Sequence, residues 1–113
     1  MAAAGSEASE RLRAEVLRLV ALIPEGRFTT YGSIAFRLKV NPRRVAWFLA
    51  RLSPEEAGVL PWHRVVAAEG RISRGMDPAL RAEQQELLEA EGLEIDGKGF
   101  VLDPDRHFHA IRS

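Results

Sequence analysis

The hexapeptide Pro61-Trp62-His63-Arg64-Val65-Val66 lies at the centre of the chain and places an indole, an imidazole and a guanidinium side by side. Two valines follow, and β-branched residues favour extended backbone that packs against a core. We therefore predict that residues 60–66 form an extended segment fixed to the hydrophobic core. On pattern alone, Trp62 is equally well explained as a core-filling residue at a buried strand edge.

The composition is that of an ordinary soluble globular protein. Of the 113 residues, 46% are hydrophobic and 28% are charged, which suffices for one modest core. We expect a single domain over residues 6–102, a disordered tail at residues 1–5 and a surface tail at residues 103–113. No apolar run approaches the ~20 residues of a membrane-spanning helix, and no export signal is evident, so we expect a cytoplasmic location without membrane association.

The chain contains no cysteine, which excludes disulfides, cysteine-based zinc sites and a thiol nucleophile. His107 and His109 form a His-x-His pair near the C-terminus. Two histidines without further ligands are a weak indication of a metal site. We expect neither a metal ion nor a cofactor.

The 16 basic and 16 acidic residues cancel in number but are segregated along the sequence. Residues 77–105 contain nine acidic and two basic residues. Residues 26–54 contain no acidic residue and six basic ones, namely Arg27, Arg37, Lys39, Arg43, Arg44 and Arg51. This segregation predicts one electropositive face despite a net charge of zero. The alternative is chance clustering on two solvated helices.

Hydrophobic spacing predicts a mainly α fold with small β elements. Helices are predicted from a cap at Ser6 or Ser9 to Ile23, and over about residues 31–38, 42–52 and 78–91, with a polar loop at residues 53–59 and a β-hairpin at residues 93–102. Thr30, Asn41 and Asp77 are typical N-cap residues, and proline follows the last two at the first helical position. The second and third helices, of which the latter carries arginines, have the pattern of a helix-turn-helix.

Four motifs together resemble the DNA-binding domain of the O6-alkylguanine-DNA alkyltransferases. They are the central hexapeptide and the stretches Ile23-Pro24-Glu25-Gly26, Thr30-Tyr31-Gly32 and Leu87-Leu88-Glu89-Ala90-Glu91-Gly92. In that family the central stretch reads Pro-Cys-His-Arg-Val, and its cysteine accepts the alkyl group. Trp62 stands at this position, so the chain resembles the alkyltransferase-like proteins, which bind alkylated guanine in DNA without repairing it. The resemblance implies a winged-helix-like helix-turn-helix domain with no enzymatic activity.

The resemblance assigns DNA contacts to the helix-turn-helix. In the family, an arginine of the recognition helix enters the minor groove and fills the gap that the flipped nucleotide leaves. Arg43 matches this arginine finger, and Arg44 is the second choice. Contacts to the DNA backbone would come from Arg27, Lys39, Arg44 and Arg51.

Other residues would form the pocket for the flipped base. Tyr31 matches a tyrosine that crowds the phosphate beside the lesion, and Trp62 would offer a flat apolar surface to the alkyl group. Val65 fits a wall position. Arg74 and Met76 belong to a loop that corresponds to the lid of the pocket.

His63 and Glu91 match residues that relay a proton in the true transferases, and without a thiol we interpret them as a structural remnant. The resemblance also implies two partners for a nucleoid-associated monomer: duplex DNA containing O6-alkylguanine, and the damage-recognition ATPase of nucleotide excision repair. Two alternatives stay open, namely a helix-turn-helix regulator that reads sequence without lesion specificity, and an enzyme that uses His63 and Glu91 as acid and base.

Overall fold

The computed structural model describes residues 2–111, with side chains described from Glu7 onward. In this part of the chain the helices are α1 (Ala2–Ala21), α2 (Tyr31–Leu38), α3 (Pro42–Leu49), α4 (Pro54–Val59), α5 (Pro78–Ala90) and α6 (Pro104–His107). Two short strands, β1 (Thr29–Thr30) and β2 (Val65–Val66), pair in parallel. The predicted fold class, mainly α with small β elements, is confirmed. No helix within residues 2–111 is long and apolar enough to cross a membrane.

Local capping bonds set the ends of α2 and α3, the two helices of the helix-turn-helix. Thr30 caps α2 by accepting a hydrogen bond from the backbone N–H of Ser33 at 3.0 Å. Asn41 caps α3 in the same way, through the N–H of Arg43 at 2.8 Å. Lys39 ends α2 with a left-handed φ of 61°, which reverses the chain before α3 begins.

The two valines of β2 join two hydrophobic clusters, because successive residues of a strand point in opposite directions. Val65 packs among Val16, Leu19, Val20, Ile23, Ile34, Ala35, Val45 and Phe48 of α1, α2 and α3. Val66 packs with Phe28, Leu88, Leu93 and Val101. The central stretch is therefore fixed to the core at Val65 and Val66. Trp62–Arg64, however, form a single 3-10 turn instead of the predicted extended segment.

Residues 53–59 form α4 rather than the predicted polar loop. Ser53 and Glu56 make a capping box, in which each side chain accepts a hydrogen bond from the backbone N–H of the other residue. Because Ser53-Pro54 starts this new helix, α3 stops at Leu49 instead of Leu52. At the other end of the chain, α1 begins at Ala2, within the segment predicted as a disordered tail, and the alanines there favour helix. Met1 lies outside the described residues.

The C-terminal segment, predicted as a surface tail, has mostly exposed side chains and is joined to Phe28 by backbone hydrogen bonds and a ring contact. The N–H of Phe28 donates to the carbonyl of His107 at 3.0 Å, and the N–H of His109 donates to the carbonyl of Phe28 at 2.7 Å. The rings of Phe28 and Phe108 meet edge to face, with centroids 5.7 Å apart. These contacts join residues far apart in sequence, so local patterns do not indicate them. Residues 112 and 113 lie outside the described part.

We expect the Phe108→Ala substitution to lower the free energy of unfolding by about 1–2 kcal/mol, because it removes the edge-to-face contact and the apolar area around it. Urea unfolding monitored by circular dichroism measures this change. Phe36 is the matched control, since its side chain is 88% exposed and Phe36→Ala should change stability by no more than about 0.5 kcal/mol. Equal stability of the two variants would contradict the docking of this segment.

Candidate nucleic-acid interface

α3 and the turn after it carry an exposed row of basic and aromatic side chains. Arg43, Trp47 and Arg51 are spaced four residues apart, which places them on one side of the helix. The guanidinium carbon of Arg51 lies 4.0 Å from the centroid of the Trp47 ring. Its Nη1 also donates to the carbonyl of Trp47 at 3.2 Å. The row presents cationic groups on either side of an indole.

The two candidates for the arginine finger differ in their surroundings. Both Arg43 and Arg44 are exposed at the start of α3. Arg44 turns towards α1, where its Nη2 donates to Ser9 Oγ at 3.3 Å, and its guanidinium carbon lies 5.7 Å from the Phe48 ring centroid. Arg43 stays in the exposed row with Trp47. This arrangement favours Arg43 as the finger.

The other predicted contacts to the DNA backbone lie outside α3. Lys39 is exposed at the end of α2, just before the turn into α3. Arg27 is tied to the C-terminal segment, where its Nη1 donates to the carbonyl of Arg106 at 3.2 Å. The structure thus places Lys39 in the helix-turn-helix and Arg27 against α6.

A cavity of about 540 Å³ opens between α3, α4, the Trp62 turn and the start of α5. α3 contributes small and apolar side chains to it, including Ala46 and Leu49, and α4 contributes Ala57 and Gly58. Its volume falls within the range of about 300–1,000 Å³ that is typical of sites for small ligands. The cavity therefore adjoins the helix that carries the arginine row.

Three of the five residues predicted for the pocket line this cavity, namely Tyr31, Trp62 and Met76. Burial raises the pKa of the Tyr31 phenol above its ordinary value. Val65, predicted as a pocket wall, is 0% exposed, belongs to the core and does not line the cavity. Arg74 is exposed and lines a neighbouring depression between α5 and residues 96–99 rather than the cavity.

The carboxylate of Glu91 anchors the turn that carries Trp62. It accepts hydrogen bonds from Arg64 Nη2 at 2.6 Å, from Arg64 Nε at 3.0 Å and from the N–H of Gly26 at 3.0 Å, and it lies 2.8 Å from His63 Nε2. Arg64 also donates to the carbonyl of Ile23 at 2.8 Å. Burial raises the pKa of the Glu91 carboxyl, but the hydrogen bonds from Arg64, Gly26 and His63 outweigh it and lower the pKa to about 2.

Gln84 holds the same turn from the side of α5 and is not among the site residues predicted from the sequence. Its side chain is fully buried, and its Nε2 donates to the carbonyls of His63 at 3.0 Å and Val65 at 2.9 Å. Gln84 is therefore a positioning residue for Trp62. In the sequence, Gln84 stands one helical turn before Leu88, at a position where an apolar residue is expected. A buried amide at such a position needs hydrogen-bond partners, and this is the signal that could have identified it.

Within residues 7–111, no three histidine, aspartate or glutamate side chains lie close enough together to hold a metal ion. His107 instead places its Nδ1 3.3 Å from the carbonyl oxygen of Gly26.

Residues 11–93 match the family model described as 6-O-methylguanine DNA methyltransferase, DNA binding domain. A DNA base-flipping protein of Escherichia coli is 45% identical over 89 residues, which cover 76% of this chain and 65% of that protein. Alkyltransferase-like protein 1 of Schizosaccharomyces pombe is 37% identical over 83 residues, which cover 72% of this chain and 75% of the relative. The match thus spans less than two thirds of the length of the E. coli relative.

The crystal structure of S. pombe Atl1 in complex with damaged DNA containing O6-carboxymethylguanine is similar to this fold, with a TM-score of 0.77 and 30% sequence identity. The similarity covers 88% of this chain and 95% of that one. The predicted helix-turn-helix fold of the alkyltransferase family is confirmed by this match.

We expect the free energy of unfolding of the wild type to fall in acid as Glu91 becomes protonated. The Glu91→Gln variant should not show this fall. Because folding lowers the pKa of this carboxyl from 4.5 to about 2, its contribution is present above pH 4.5 and is lost as the pH falls towards 2. The loss in the wild type is at most about 3 kcal/mol, and solvent screening of the part-exposed carboxylate reduces it. Urea unfolding at a series of pH values between 7 and 2.5 measures it.

The substitution also leaves the Arg64 guanidinium without its charged partner, so Glu91→Gln should be destabilised at pH 7 as well. Glu86 is the matched control, because it is an exposed glutamate on the same helix. Glu86→Gln should keep the wild-type pH profile. A Glu91→Gln profile parallel to that of the wild type would refute the assigned role.

Proposed function

Because the chain belongs to the family of the 6-O-methylguanine DNA methyltransferase DNA-binding domain, and within it to the alkyltransferase-like proteins, we propose that it is a non-catalytic sensor of O6-alkylguanine in duplex DNA. α3 enters the minor groove, the damaged nucleotide rotates out of the stack, and its base enters the cavity beside Trp62. The observation that carries this proposal is the cavity of about 540 Å³, which Trp62 lines and the arginine-bearing helix borders.

The side chain of Trp62, which lines the cavity, supports binding without alkyl transfer. Transfer from guanine O6 needs a soft nucleophile, and a thiolate is the side chain suited to it. The sequence contains no cysteine, and the indole of Trp62 has no lone pair available for such a displacement. Its flat apolar face can instead pack against an alkylated base. The site therefore retains the lesion unchanged.

Selectivity for the lesion begins before the base reaches the cavity. Rotating a nucleotide out of a duplex costs a few kcal/mol, and the cost is least for a base that pairs poorly. An O6-alkyl group removes the N1 proton of guanine and masks the O6 acceptor, which weakens the pair with cytosine. Arg43 fills the gap in the stack, and Tyr31 crowds the backbone beside the rotated nucleotide. For unmodified guanine, flipping requires the full free energy of breaking a normal pair with cytosine.

A complex that does not turn over can serve as a signal. We propose, on the family resemblance, that the bound protein marks the lesion and recruits the damage-recognition ATPase of nucleotide excision repair. This step is separable from lesion binding, because it requires a second protein.

We expect the protein to bind a duplex with one O6-methylguanine at least about tenfold more tightly than the same duplex with guanine, since weakened pairing lowers the cost of flipping. Fluorescence anisotropy titration of the two duplexes measures the ratio of dissociation constants. Trp62→Ala should lower the affinity for the methylated duplex and bring the ratio of the two dissociation constants close to one. Trp62→Phe should retain part of the preference for the methylated duplex.

The intact mass of the protein after incubation with the methylated duplex provides the control for catalysis. An unchanged mass is expected, and a gain of one methyl group would contradict the proposal. Equal affinity of the wild type for both duplexes would instead favour a regulator that ignores the lesion.

We expect Arg43→Ala to weaken binding of the methylated duplex about tenfold more than Arg51→Ala does, because Arg43 replaces the rotated base whereas Arg51 neutralises a phosphate. The same titration, repeated at several salt concentrations, tests this. Arg51→Ala should reduce the slope of log affinity against log salt by about one phosphate contact, that is by about 0.9. Equal losses in the two variants would reduce Arg43 to a general backbone contact.

A further inference from the structure

We propose that Trp47 is a DNA-contacting residue at the centre of the face that α3 presents to the duplex, where its indole packs on the deoxyribose backbone and orients Arg51 towards a phosphate. The inference rests on the proposed DNA binding but not on lesion recognition. Trp47 has no part in the cavity that holds the base.

The position of Trp47 in α3 does not serve the core. Its neighbours Val45 and Phe48 are 0% and 3% exposed, whereas the Trp47 side chain is 52% exposed. The Phe48 ring meets it edge-on, with centroids 5.5 Å apart and planes at 84°, which restricts the orientation of the indole. A large apolar ring held at the surface between Arg43 and Arg51 is typical of nucleic-acid contacts, where aromatic and cationic groups alternate.

The contact between Arg51 and Trp47 orders both side chains before DNA binds. The guanidinium lies 4.0 Å from the ring centroid, and its bond to the Trp47 carbonyl fixes it further. A guanidinium stacked through its face keeps N–H groups at its edge available for phosphate oxygens. Because this side chain is already ordered, less conformational freedom is lost when it binds.

A groove of about 410 Å³ on this side of α3 fits one strand of a duplex backbone. Trp47 supplies its apolar wall, Arg44 supplies positive charge, Ser9 and Asn41 supply small polar groups, and Arg43 borders it. A DNA strand offers the matching groups in alternation, since each deoxyribose has an apolar surface and each phosphate an anionic one. We infer that a sugar–phosphate strand occupies the groove.

The test is a titration of Trp47→Ala and Trp47→Phe against both the guanine and the O6-methylguanine duplex. Trp47→Ala should weaken binding of both duplexes by about tenfold and leave their ratio unchanged, and Trp47→Phe should restore part of the affinity. Leu22→Ala is the matched control, because Leu22 is 56% exposed but lies after α1. Wild-type affinity of Trp47→Ala for the guanine duplex would overturn the proposal.

A double-substitution cycle tests whether Trp47 orients Arg51. Arg51→Ala should cost less affinity in the Trp47→Ala background than in the wild type, and strictly additive losses would overturn this part. The inference and the proposed function fail separately. If the wild type does not discriminate the lesion but Trp47→Ala weakens both duplexes, only the proposed function fails; if it discriminates and Trp47→Ala has no effect, only the inference fails.

The chain has two tryptophans, so single-tryptophan variants give an independent readout. In Trp62→Phe, the emission of Trp47 should shift or be quenched at saturating guanine duplex, because the indole leaves water for the DNA surface. Circular dichroism verifies that the variant is folded. Unchanged Trp47 emission at saturation would overturn the contact.

Discussion

The buried carboxylate of Glu91 is the constraint on which the arrangement of the site depends. It lies at the end of α5 and binds two other segments of the chain, one at Gly26 and one at the turn that contains His63 and Arg64. Such a charge is costly to bury, and it stays ionised because guanidinium and backbone donors surround it. Together with Gln84, it holds His63, Arg64 and Val65, the residues directly after Trp62. The indole of Trp62 meets the His63 ring edge to face, with centroids 6.2 Å apart, and lines the cavity.

α3 serves two surfaces at once because a helix distributes successive residues around its axis. Arg43 and Trp47 project from the exposed side, whereas Ala46 and Leu49 border the cavity. The distance between the proposed arginine finger and the proposed pocket for the displaced base is therefore set by the backbone of one helix. Loops would hold this distance less exactly.

Local chemistry explains which parts of the fold were predictable. The N-caps at Thr30, Asn41 and Asp77 act through neighbouring backbone groups, so α2, the start of α3 and α5 follow from the sequence. The capping box of Ser53 and Glu56 is also local, but a six-residue helix is too short for hydrophobic periodicity to reveal.

Contacts between distant residues explain what could not be predicted. The docking of Phe108 depends on Phe28, and no local pattern joins them. Val65 was a natural choice for a pocket wall in the motif, yet both valines of β2 are buried because each faces a different cluster. Tyr31, Trp62 and Met76 do come together at the cavity, whereas Gln84 gains its role only from the folded position of two carbonyl groups.

α4 gives the cavity one wall that does not belong to α3, the helix proposed to contact DNA. Its capping residue Glu56 is also held by Arg13 of α1, at 2.7 and 2.8 Å, so α4 has its own tether. A Cβ placed on Gly58 would meet no atom within 4 Å. Because Gly58 also lines the cavity, a larger side chain at this position would narrow the proposed base pocket without changing any residue of α3.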